Sequence, residues 1–180
     1  MVGHALERVW KTRSKLSQER AFCFIRHSMH FFLSNLVYYL QADVIDYEFS
    51  LLIKEISISN DFQSVLRASR NFLASIVNLS MVDNTAIQEG IERILQVCLR
   101  FVCVCKIVQE NFQPERYIND ILVVPPEELQ AIQKDFYTHV LYIFQIMQKV
   151  ENRGFMFRLD FNGYLSQTAT SLASDPNYLG

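Results

Sequence analysis

From His27 to Ala42 the chain runs sixteen residues without an acid, a lysine or an arginine. Phe22, Ile25, Met29, Phe32, Leu36 and Leu40 recur through this stretch at the spacing of one helix face. Phe24, Phe31, Tyr38 and Tyr39 fall on the other faces. The pattern predicts a helix over 22–40 that is apolar all round and buried at the centre of a bundle. It does not predict a membrane span, which takes ~20 consecutive, mostly apolar residues. This run is shorter, follows Arg26 closely, and is broken by His27, Ser28, His30, Ser34 and Asn35.

Upstream, a helix is expected from Ala5 to about Ser17, with Leu6, Val9 and Trp10 on its apolar side and Glu7 four residues before Lys11. Downstream, "DVIDYEFSLLIKEI" continues as helix with Val44, Ile45, Phe49, Leu52 and Ile56 facing inward, and 57–60 reads as a turn. Asp61 is an N-cap for a helix carrying Phe62, Val65, Leu66, Phe72, Leu73 and Ile76 as far as Leu79. After "SMVDN", Thr85 with Gln88 three residues on forms a capping-box signature. Ile87, Ile91, Ile94, Cys98, Phe101, Cys105 and Val108 then alternate by four and three, a bundle-type seam with Glu89 and Arg93 outside.

The period fades over 111–124, a stretch long enough to be a functional loop. Pro125 and Pro126 followed by Glu127 and Glu128 start a further helix, acids set against its positive end. Its stripe is Leu129, Ile132, Phe136, His139, Ile143, Ile146 and Val150. A bend near Gly154 precedes the last helical segment, "FMFRLDFNGYLSQ", and a polar end from Thr168.

Composition sharpens this into a fold class. Five Gly and four Pro among 180 residues, against 14 Phe and 8 Tyr, leave few chain breakers and many large side chains. An all-α fold follows, an elongated bundle of about six to seven helices forming a single domain over 1–180. The net charge of −2 argues against nucleic acid or an anionic membrane as partner. The first fifteen residues lack the apolar block of a signal peptide, and Cys23, Cys98, Cys103 and Cys105 lack paired spacing. Free thiols in a protein inside the cell are the expectation.

No phosphate-cradling glycine loop, G-x-S-x-G, H-E-x-x-H or C-x-x-C occurs. The remaining constellation is Cys23, His27 and His30, which share one helix face and could ligate zinc. A single helix does not close a tetrahedral site, and nothing in the spacing selects His4 or His139 as a fourth ligand. The reading is therefore one core cysteine with two histidines at a partly exposed edge, no metal, no cofactor and no enzyme. Binding is the class that remains.

The residues also carry a resemblance. "ALERVW", "IRHSMHFFLSNLVYYLQADVIDYEF", "DFQSVLRASRNFL" and "RLDFNGYLSQ", in that order, resemble the C-terminal domain of gamma-tubulin complex components. The matching pattern is Trp10, then Arg26, Met29 and Phe32, then Tyr39, Asp43 and Val44. The chain departs from it at Phe49, where a Trp is usual, and at Ser69, where a His is favoured.

The resemblance implies an all-helical domain that holds gamma-tubulin, alongside other complex components, in a scaffold for microtubule nucleation at a centrosome or spindle pole. Family members are much longer, so the chain is expected to correspond to most of their C-terminal domain, as a fragment or a truncated product. A generic helical adaptor is the alternative.

Arg158, Asp160 and Asn162 form a polar cluster in an apolar segment and are the candidate partner contacts, with Arg26 a second candidate. Three of the four also have an internal reading. Asp160 can cap the last helical segment, Arg158 can pair with it or with another carboxylate, and Arg26 can sit in an internal ion pair.

Overall fold

The computed structural model describes residues 2–110, 125–149, 153–160 and 162–173. The connection expected at 111–124, the end beyond residue 173, Val150, and the side chains of His4, Leu6, Glu7, Val9, Trp10, Lys11 and Val108 lie outside the described residues. All regular structure among the described residues is helical.

With no Gly or Pro between His4 and Glu89, nothing in the sequence stops the first helix early. It runs unbroken through the break expected after Ser17: α1 (Val2–Tyr38) passes into a π-helical turn (Tyr39–Asp46) and then α2 (Tyr47–Ile58). The π geometry explains why Tyr39 and Val44 are both buried. Positions five apart on an α-helix point about 140° apart, whereas i→i+5 bonding brings them to one side.

The second helix is α3 (Phe62–Leu79), whose first turn is capped by Asp61 accepting from the Ser64 amide. Its partner amides and the nearby Arg67 hold the Asp61 carboxyl below its ordinary range. The third, α4 (Thr85–Glu110), is capped by Asn84, whose Oδ1 accepts from the Ile87 amide at 3.1 Å. The cap thus lies one residue before the Thr85 that the capping-box spacing selected.

α5 (Pro126–Met147) packs along α4. Gly90 lets the two helices approach closely, since a Cβ there would lie 2.8 Å from Ile143 Cγ1. Arg100 on α4 bridges to Glu128 at 2.9 Å and Asp135 at 3.1 Å on α5. α6 (Arg153–Leu159) packs on α1 and α5, and α7 (Tyr164–Ala173) on α5.

The core is built where the seams predicted it. Ile87, Ile94, Cys98 and Phe101 of α4 meet Leu129, Ile132, Phe136 and Ile143 of α5, joined by Phe155, Leu159 and Leu165. Burial pushes the Cys98 thiol up to about 11, as befits a small apolar core residue.

Two burial expectations fail. α1 is one-sided: Ile25, Met29, Phe32 and Leu36 are buried, as is Tyr39 just after it, while Phe24, Val37 and Tyr38 are exposed. In α2, Phe49 and Ile56 are exposed rather than inward, as is Ile45 just before it, and the helix contains no buried residue. The reason is packing. Among the described residues α2 packs mainly against α3 and the π turn, so the pair projects as an arm that carries the Phe49–Phe72 ring pair at 6.3 Å.

Candidate partner-binding surface

Arg158 comes from the last turn of α6 and reaches the π turn. Its Nε and Nη2 donate to the two carboxylate oxygens of Asp43 at 2.7 and 2.8 Å, a bidentate pair. The guanidinium also lies over the Tyr38 ring, 4.6 Å from its centroid. The Asp43 hydrogen bond raises the Arg158 pKa further above its ordinary value. Of the partners left open for Arg158, the structure selects Asp43 and not Asp160.

Asp160 performs the capping role. Its Oδ1 accepts from the Leu165 amide at 2.8 Å and its Oδ2 from the Ser166 amide at 3.1 Å, satisfying two donors that the first turn of α7 would leave unpaired. Asn162 accepts from the Tyr164 amide at 3.1 Å, and Gly163 takes φ 69°, a conformation that favours glycine. Asp160 and Asn162 thus spend their side chains on the backbone that opens α7. Arg26, by contrast, is exposed on α1 and pairs with no carboxylate among the described residues.

Cys23, His27 and His30 are all exposed along α1, so Cys23 is not the core residue expected. His27 packs edge-on against Tyr164 with centroids 5.8 Å apart. Among the described residues no three His, Cys, Asp or Glu side chains are grouped to hold a metal ion. His139, named as a possible fourth ligand, lies on α5 in the electrostatic field of Arg93 and Asp135.

The feature that residue-by-residue reading missed is the arm. Tyr47, Phe49, Leu51, Ile53, Ile56 and Ile58 of α2 are exposed together with Phe62, Leu73 and Val77 of α3; Ile58 and Phe62, flanking the tip, are 72% and 74% exposed. On α2 they fall on two sides, Tyr47, Leu51 and Ile58 on one and Phe49, Ile53 and Ile56 on the other. At the tip, Glu55, Asn60, Asp61, Ser64 and Arg67 line a polar recess of about 450 Å³. The signal was present in the sequence as the density of apolar residues in α2.

No described helix is long and apolar enough to cross a membrane. Among the described residues the fold is an all-helical bundle with many exposed apolar side chains on α2 and α3. The chain belongs to the gamma-tubulin complex component family: residues 1–165 match the family described as "Gamma tubulin complex component C-terminal".

Among curated relatives it is 30% identical over 159 residues to gamma-tubulin complex component 4 of Mus musculus and of Homo sapiens, covering 83% of this chain and 22% of theirs. It is 24% identical over 154 residues to the Arabidopsis thaliana gamma-tubulin complex component 4, covering 81% of this chain and 19% of that one. The chain therefore spans about a fifth of the length of these relatives. No solved structure matches it.

Proposed function

We propose that this chain is a gamma-tubulin-binding scaffold segment, without catalysis of its own, that works with other gamma-tubulin complex components in microtubule nucleation at a cytoskeletal organising centre. The observation that carries the reading is the family match over 1–165, which includes both the arm and the "RLDFNGY" turn. A surface rich in exposed apolar side chains fits a docking role better than a catalytic one. In this reading Arg26, exposed and outside any described ion pair, is a cation available to a partner. Arg158, Asp160 and Asn162 contribute through the part of each side chain not committed to Asp43 or to the α7 backbone.

The test is capture of purified gamma-tubulin on the immobilised chain, with Arg26→Glu as the first variant because it disturbs no described pair. Capture by the parent chain that is lost in Arg26→Glu at an unchanged melting temperature supports both the function and the contact. Capture unaffected by Arg26→Glu and by Asn162→Ala retains the function and removes these contacts. No capture by the folded parent chain sinks the proposal and leaves a helical adaptor for other proteins.

A further inference from the structure

The α2–α3 arm joins the bundle through two stretches of irregular backbone. One is the π turn, Tyr39–Asp46. The other is the turn over 80–84, where Met81 adopts φ 58° with its side chain buried in the core. The Tyr39 hydroxyl donates to the Leu79 carbonyl at 2.7 Å and ties the two passages together. A left-handed backbone at a non-glycine residue is held by its surroundings rather than by its own preference.

Beyond these passages the arm is only loosely committed to the bundle. α2 has no buried residue and α3 has one, Ala68, while the α3 residues packed against the core, Ile76 and Leu79, sit at the base of the arm, so tilting the rest of it removes little apolar surface from cover. A π turn also offers a route for the movement. Its i→i+5 bonds can shorten to i→i+4 without breaking the helix, which rotates everything beyond it by part of a turn.

α6 grips this turn from the side. Arg158 holds Asp43 inside it by two hydrogen bonds, its guanidinium covers Tyr38 at the border with α1, and Phe155 packs on Tyr39 with centroids 4.8 Å apart. The side chains of Arg158 and Asp43 are 38% and 32% exposed, so water can compete for the pair. We propose that the π turn is a hinge for the α2–α3 arm and that Arg158 on Asp43 is the latch fixing its angle to the bundle. The latch sets where the apolar surface of the arm points, whichever partner that surface meets.

The experiment places spin labels on cysteines introduced at Asn60, on the arm tip, and at exposed Gln130 on α5, in the full chain with Cys23, Cys103 and Cys105 replaced by Ser. Double electron–electron resonance then reads the distance distribution. The parent is expected to give one narrow distance. Asp43→Asn should add a second, with the open population raised roughly fivefold, the size expected from losing a partly exposed bidentate pair, and amide exchange in α4 and α5 should stay unchanged.

Should Asp43→Asn fail to fold, Arg158→Lys keeps the charge but loses the two-pronged geometry, and must produce the same second distance. A single unchanged distance in the folded variants overturns the proposal. So does a broad distribution in the parent, or a second distance that appears only with lost protection in α4 and α5.

Discussion

Ser28 and Tyr137 share a hydrogen bond of 2.7 Å between hydroxyls buried in the core. Ser28 Oγ also lies 3.1 Å from the Phe24 carbonyl and 2.9 Å from the Tyr164 hydroxyl. An alcohol has one proton and two lone pairs. Donation to Phe24 therefore leaves Ser28 accepting from both tyrosines, and every capacity of the oxygen is used. Burial, opposed by the Ser28 bond, raises the Tyr137 phenol pKa well above its ordinary value.

Ser28→Ala should consequently destabilise the fold by about 1–3 kcal/mol, the cost of leaving a buried hydroxyl without its partner. Adding Tyr137→Phe should cost less than the sum of the single changes, because the orphaned group is then gone. Urea denaturation of the two single variants and the double variant measures this directly.

Phe32 is fully buried and meets Phe136 edge-on at 6.3 Å. Replacement by Ala should cost about 3–5 kcal/mol, from lost transfer energy and the cavity left behind. A well-folded variant that melts with the parent would count against its place in the core.

At Gly90, an alanine gains about 1 kcal/mol of helix propensity but drives its methyl group into the fully buried Ile143, with Tyr142 Cδ1 3.4 Å away. Overpacking of this kind costs about 1–3 kcal/mol. Net destabilisation of roughly 1 kcal/mol is expected, and Gly90→Val should be worse. A variant more stable than the parent by thermal melting would show that the α4–α5 pair has room to separate.

His139 titrates below its ordinary value of 6.5, chiefly through desolvation and then through repulsion from Arg93, with Asp135 acting the other way. The unfolded chain therefore binds this proton more readily than the folded one. Stability should be level above about 6.5, fall as the pH drops through that value, and level again below the folded pKa. His139→Gln should flatten that fall in a pH series of urea midpoints. An unaltered slope would assign the acid sensitivity to other groups.

The α4 seam, the α5 stripe and the Asp61 cap were legible because each is a local pattern: apolar residues three and four apart, or a cap beside the helix it starts. Asn84 was harder, since two cap-competent residues stand side by side and only geometry chooses between them. The π turn was not legible, because the same residues serve i→i+4 or i→i+5 bonding. Ile45, Phe49 and Ile56 were misread as inward for a different reason. Periodicity identifies an apolar face but not whether the same chain covers it. The partner of Arg158 is 115 positions away in sequence, beyond any local pattern.

The packing of α1 against α5 has a consequence during synthesis. Phe32 finds Phe136 only after the intervening hundred or so residues have been made, which at ~5–20 residues per second takes roughly 5–20 s. For an interval of that length the apolar side of α1 is out of the ribosome before the α5 surface that covers it has followed. The nascent chain thus passes through a window in which Ile25, Met29, Phe32 and Leu36 are available to holding chaperones or to wrong partners. A slower ribosome over α4 lengthens the exposure, and a faster one shortens it.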